Sequence, residues 1–512
     1  MFGVANAAAS STYSNGIGFS GNTSRKTIIS SSNSADDAIV ISGNAGPTAS
    51  IRSAGVFFHG QTAGANVNNI VANTGSGGIQ LTGRSVPTTT QDLADNVGDG
   101  LEMYGLGVLA KSGPIVLTGV TGAASSSNRY GCSMDHSTAG SLTPSQVSIG
   151  ARAATTIDSV DMSTSSSNVT MNCDSFIIGS STQAKSISTS GTFTLQPADA
   201  AQSFDRSVDV TGLTLSSNVS SFTVGQSGTG GTVSGTTQNA TDLTIPAVSI
   251  AGPISLYGQS ISLTGGLAAS TASKILVKAR GNITLSASKA ISTANAPIVI
   301  WGRAGSLESS TDQGYFTIDG GSSISSGGGP VFIAGSTSVD SNSYPNGHLY
   351  TNDTTNKFAV GMGTSPTGTN MSISSGGGDI RIYGQTGSAA SQVMAVQGST
   401  ASTINAGAGR IDVNLVGATT ADNIFEAWNG GLTVTSSAPA DAVNNTPAVK
   451  WVSSQTNSAS TFNPIQTGGV FSINATGGGD IDFTATSAKT TVYSLDITKN
   501  FQLLASTGQI RA

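Results

Sequence analysis

ILVKARGNITLSASKAISTANAPIVIWGRAGSLESSTDQGYFTIDGGSSISSGGGPVFIAG occupies Ile275 to Gly335, and its reading decides the fold. Apolar residues alternate with small or polar ones in Ile283-Thr284-Leu285, Ile298-Val299-Ile300 and Val331-Phe332-Ile333, and Gly or Ala closes each run. A period of two is that of a β-strand with one face buried. The step from the last apolar residue before a bend to the first after it is seven residues in Leu276 to Ile283, Ile291 to Ile298 and Ile324 to Val331. One corner therefore repeats.

The same corner lies outside this stretch. Ile373 to Ile380, Ile404 to Ile411, Val108 to Ile115 and Leu503 to Ile510 keep the step of seven, and Ile473 to Ile481 adds one residue. Each unit has too few apolar side chains to bury its own inner face. It gains a core only when like units stack above and below it. The expectation is an all-β chain, a β-solenoid with protruding loops, in about 20 coils of roughly 20 to 25 residues. Ile283, Leu285, Ile298, Ile300, Val331, Ile333, Ile380, Ile382, Ile411 and Val413 are expected to point inward.

Read along the chain, solenoid coils are expected over 1–120, a loop excursion over 121–147, less regular coils over 148–246 and regular coils over 247–338. A second excursion is expected over 339–370, coils over 371–434, a third excursion over 435–467 with Trp451 inside it and Trp428 just before it, and coils over 468–512. A solenoid grows along one axis, so 512 residues are compatible with a single body.

Composition narrows the function classes. Charged residues make up 9% of the chain and the net charge is −6, against about 25% charged in an ordinary soluble domain. No basic stripe interleaved with aromatics is present, which argues against nucleic acid as a partner. No apolar run reaches the length of a membrane span, and the N-terminal MFGVANAAAS lacks the features of a secretory signal, so either export needs no such signal or, as the stop within a strand pattern after Ile510 leads us to expect, the chain is a piece of a longer precursor. The 66 glycines follow no three-residue period, which excludes collagen.

Candidate chemistry is sparse. Asp92, Asp95, Asp99 and Glu102 form the densest acidic patch, but the spacing fits neither the EF-hand nor the nonapeptide calcium-roll pattern and a solvated loop is expected there. Asp135 and His136 are neighbours, and His59 and His348 are the only other histidines, too few for a triad or a metal centre. Asp379 and Asp480 occupy equivalent corner positions and are read as turn residues rather than as a catalytic pair. Cys132 and Cys173 allow either a bridge or two buried small hydrophobes. No catalytic, cofactor or metal residue is assigned, and no cofactor is expected.

GTFTLQPADAAQSFDRSVDVTGLTL, PISLYGQSISLTG, ILVKARGNITLSA, APIVIWGRAG and ISSGGGPVFIAG resemble the repeat region of large secreted bacterial surface proteins, the filamentous haemagglutinin-like adhesins, most strongly over about 190 to 385. What the resemblance implies is a right-handed parallel β-helix and export to the extracellular face of a bacterial cell, with roles in adhesion and biofilm. The chain is accordingly expected to be a non-enzymatic structural or adhesive stalk. Its expected partners are other copies of itself, end to end or side by side, and ligands of host or neighbouring-cell surfaces, glycans being one class. A self-assembling sheath or filament subunit and a polysaccharide-cleaving β-helix enzyme are the alternatives.

Overall fold

The computed structural model describes residues 2–4, 15–21, 26–45, 54–60, 67–85, 99–121, 129–135, 145–180, 182–199, 202–227, 239–306, 312–352, 358–363, 369–387, 392–417, 424–427, 430–441, 443–456, 465–488, 495–497 and 500–512. Among them there is no helix, and the strands are short, most of three to seven residues. The chain is a parallel β-helix in which each coil contributes a strand to each of three sheets. It divides into two compact units, Met1–Gln226 with Thr236–Gly252, and Pro253–Ala512 with Ser227–Gly235, where the repeat alone suggested one body.

In the second unit the first sheet stacks Ile254, Ile275, Ile298, Val331, Ile380, Ile411, Val449, Ile481 and Ile510, each the register partner of the next. The second sheet stacks Ile261, Ile283, Phe316, Val360, Met394, Phe425, Ile465 and Leu495. The third stacks Leu267, Ile291, Ile324, Ile373, Ile404, Val434, Ile473 and Leu503. Like side chains sit above like because parallel in-register pairing puts equivalent positions one strand spacing apart, about 4.8 Å. All ten residues expected to point inward are buried.

The first unit repeats the plan. Its first sheet stacks Ile39, Ile79, Ile115, Val169, Phe193 and Phe222, the last two rings lying parallel with centroids 5.6 Å apart. Its third sheet stacks Val71, Val108, Ile149, Ile187 and Leu215. Among the described residues the first sheet has seven coil strands in this unit and nine in the other, fewer than the 20 expected. The interval between equivalent residues ranges from 21 (Ile254 to Ile275) to 54 (Ile115 to Val169), because corners accept insertions that the sheets do not.

The repeated step of seven has a local cause. In three successive coils the third residue after the last third-sheet apolar residue is a glycine with positive φ: Gly327 (66°), Gly376 (67°) and Gly407 (58°). Each turns the chain from the third sheet into the first. Beside them a buried hydroxyl, on Ser326 or Ser375, is within bonding reach of one carbonyl in its own turn and one in the next coil, Ser375 and Ala406 respectively. Thr293 does the same in the coil before, bonding the Ala296 and Ser326 carbonyls, whereas Ser436 donates to the Gly409 carbonyl of the preceding coil at 2.7 Å. Leu276 to Ile283 is a different corner, from the first sheet to the second. Leu276 faces outward there and only coincidentally gives the same count.

The three expected excursions each carry coil strands. Cys132–Met134 pairs with Leu101–Met103 and Phe176–Ile178 in the second sheet of the first unit. Phe358–Met362 and Ile465–Thr467 belong to the second sheet of the other unit. Val449–Gln455 is a full first-sheet strand, and Trp451 on it is buried against Phe425 and Phe471, with ring centroids 5.0 Å away in both cases. What does protrude within 339–370 begins as a hairpin, in which Val331–Val339 runs past the sheet and pairs antiparallel with Pro345–Gly347. Strands of three residues, such as Cys132-Ser133-Met134, are too short for alternation to mark them.

Candidate functional site

A polar cleft lies at the corner between the first and second sheets of the second unit. In the coil that begins at Ile254 this corner is Gln259-Ser260, and in the next it is Arg280-Gly281-Asn282. In the third coil the link from Gly302 to Phe316 is thirteen residues long. It starts on Arg303, whose positive φ of 55° bends the chain away from the sheet. The Arg303 side chain turns inward. It is fully buried, donates from Nη1 to the His348 carbonyl oxygen at 3.4 Å and lies 4.8 Å from the centre of the Tyr350 ring.

Ser306, Asp312 and Gln313 of that link border a space over the two short corners. The cleft is about 320 Å³, and Gln259, Arg280, Asn282, Ser306, Asp312 and Gln313 line it. Asp312 accepts a hydrogen bond from Ser306 Oγ at 2.7 Å, and Asn282 Oδ1 accepts one from the Tyr315 backbone N–H at 3.2 Å. Among the described residues no side-chain hydrogen bond or ion pair engages the Arg280 guanidinium or the Gln259 and Gln313 amides. Among the described residues no apolar side chain is part of the lining.

The residues singled out from sequence are placed differently. Asp135 is buried in a 3.1 Å ion pair with Lys185, which also donates to the Gly179 carbonyl, and its other oxygen accepts from Ser145 N–H. His136, Asp92, Asp95 and Trp428 lie outside the described residues. Asp99 is not in a solvated loop. It is fully buried and accepts the Tyr130 N–H at 2.8 Å, and Glu102 is buried on a second-sheet strand. His59 stacks on Phe57 and His348 on Tyr383, on different units.

Asp379 and Asp480 do serve the corners, but through the following coil. Asp379 Oδ1 accepts the Arg410 N–H at 2.8 Å and Asp480 Oδ1 the Gln509 N–H at 2.8 Å. Asn168 to Thr192 and Asn282 to Tyr315 repeat the bond. In each pair the two residues immediately precede register partners, so one side chain ties two coils together. Cys132 and Cys173 form a disulfide with Cα atoms 5.6 Å apart.

Two carboxylates escaped the sequence reading. Asp174 has its carboxyl pushed up to about 6, first by burial, although Thr121 N–H and Oγ donate to it at 2.5 and 3.0 Å. Asp205, whose N–H donates to the Asp174 carbonyl at 2.6 Å, is also shifted up by burial. They are 31 residues apart, and only the coil register brings them together. The outer face of the first sheet in the second unit carries a further pattern, Arg381, Asp412, Lys450, Asp482 and Arg511 on five consecutive coils. Alternating charge at one strand spacing is favourable cross-strand pairing. Tyr383 donates to Asp412 at 2.5 Å, and Arg381 pairs with Asp340 at 2.9 Å.

Comparison with known proteins gives no relative: no family model matches the chain, and neither a curated protein nor a solved structure does.

Proposed function

We propose that this chain is a non-enzymatic structural and adhesive element of a bacterial cell surface, a β-helical stalk or filament working outside the cell in adhesion and biofilm. The observation that carries the reading is the use made of its polar groups. Asp379 and Asp480 hold one coil to the next, Asp135 neutralises a buried lysine, and the buried Ser and Thr hydroxyls bond carbonyls of neighbouring coils. Carboxylates committed in this way build a stiff body rather than a reaction centre. The disulfide supports an oxidising compartment. An outer face of low and alternating charge lowers repulsion between copies, which favours side-by-side or end-to-end association. Ligands of host or neighbouring cells, glycans among them, would meet the corner insertions, since recognition usually sits on loops carried by a rigid scaffold.

The test is a pair of measurements on the purified chain. Sedimentation over a wide concentration range should show reversible association, and a broad polysaccharide panel should release no reducing sugar. A particle that stays monomeric while cleaving a glycan would replace this reading with the enzyme.

A further inference from the structure

The geometry points to the corner cleft of the second unit as a binding site for a carboxylate-bearing sugar, a hexuronate. The inference rests on the cleft alone and stands whether or not the chain is a stalk. Arg280 is the first observation. A guanidinium matches a carboxylate with two parallel N–H bonds, and Arg280 presents one to the cleft with no partner of its own among the described residues. Arg303, which follows the first-sheet strand of the next coil as Arg280 follows its own, turns inward and is occupied by the His348 carbonyl and the Tyr350 ring. Arg303 is thereby committed to contacts of its own, whereas Arg280 lines the cleft.

The second observation is the mixture of the other groups. Gln259 and Gln313 each offer an amide that can donate and accept, Asn282 keeps its Nδ2 donors because Tyr315 takes only its oxygen, and Asp312 supplies a carboxylate acceptor. Asp312 repels the carboxylate of acetate and of a hexuronate alike, and only a ligand that also carries hydroxyls can offset this by donating to Asp312 and bonding the amides. A ring with several hydroxyls uses amides and a carboxylate together, and one acidic substituent uses Arg280. The volume, about 320 Å³, is at the small end for ligand sites, which suits one sugar ring rather than a long segment. Among the described residues the lining has no aromatic or aliphatic side chain, which favours a polar ligand.

The experiment is saturation-transfer NMR on the full chain with methyl glucuronide, methyl glucoside and acetate as separate probes at matched ionic strength. Methyl glucuronide should bind saturably and at least about tenfold more tightly than either of the others, and Arg280→Gln should reduce that preference about tenfold. Arg280→Lys, which keeps the charge and loses the fork, should fall between, and Gln259→Ala should weaken both sugars about equally. Arg280 faces outward, so the variants should keep the native thermal midpoint; if Arg280→Gln does not fold, Gln259→Ala decides. No saturable binding of the glucuronide, acetate binding as tightly as the glucuronide, or a preference unchanged in Arg280→Gln would each overturn the assignment. Glycan cleavage and self-association are read separately, so failure here leaves the stalk reading standing.

Discussion

Ile298 and Thr284 sit on adjacent strand patterns and differ only in the direction their side chains take. Ile298 is fully buried between Ile275 and Val331, whereas Thr284 is on the outer face of its sheet between Ser262 and Thr317. Ile298→Asp forces a carboxylate into a dry column with no partner and should cost more than about 3 kcal/mol in denaturant unfolding. Thr284→Asp should change stability by less than about 0.5 kcal/mol, and equal losses at the two sites would mean that the faces are misassigned. Asp174 gives the residue-scale effect of pH. Its carboxyl titrates near 6 when folded, well above its ordinary 3.8, so the folded state binds the proton more readily. The resulting penalty is complete above about pH 6 and disappears as pH falls toward 3.8, and Asp205 is shifted in the same direction. The chain should therefore be more stable near pH 5 than near pH 7.5, by about 1.4 kcal/mol from Asp174. Asp174→Asn should flatten that difference; an identical pH profile in the variant would remove Asp174 as its source.

At the scale of the element, the corner is as much a joint between coils as a turn. The carboxylate of Asp379 reaches the N–H of Arg410, one coil on, and no bond within its own bend is required. Asp379→Ala leaves that N–H without its acceptor and should cost about 1 kcal/mol, whereas Asp379→Asn keeps an oxygen in place and should cost a few tenths. Equal losses for the two, measured by chemical denaturation, would show that charge rather than the acceptor matters. The sequence made half of this visible. The recurrence of Asp before Ile380 and Ile481 marked a corner, but the partner depends on coil lengths of 31 and 29 residues, which alternation does not fix. Trp451 is similar. Pro439, Pro447 and Pro464 around it suggested an excursion, and only the pairing of Val413, Trp451 and Phe483 places it in the core. The cleft was invisible for the same reason: Gln259, Arg280 and Asp312 are near each other only because three coils stack.

At the scale of the whole chain, a stack in which each coil touches mainly its neighbours should respond locally to a local cut. The alternating runs made this architecture legible from composition-poor sequence, because a column of Ile and Val repeats its own pattern in every coil. The covalent tie was not legible, since Cys132 and Cys173 belong to different sheets and their closeness depends on the pairing of Cys132 with Phe176, three residues after Cys173. The fit around the bridge is tight. Gly119 is the register partner of Cys173, and a Cβ there would run into the Gly131 carbonyl and the Cys132 sulfur. Opening the bridge frees a loop of 41 residues in the unfolded chain, a loss of up to about 4 kcal/mol by chain entropy. Under reducing conditions hydrogen exchange should accelerate in Leu101–Met103, Cys132–Met134, Val169–Cys173 and Phe176–Ile178, which contact the bridge or the strands that carry it. Ile39–Asn44, two first-sheet strands from Ile115–Thr121, should keep its protection. A Cys132→Ser, Cys173→Ser double variant should show the same map without reductant. Uniform loss of protection along this unit would mean that its coils unfold as one block, and the nearest-neighbour picture of its stability would have to be abandoned.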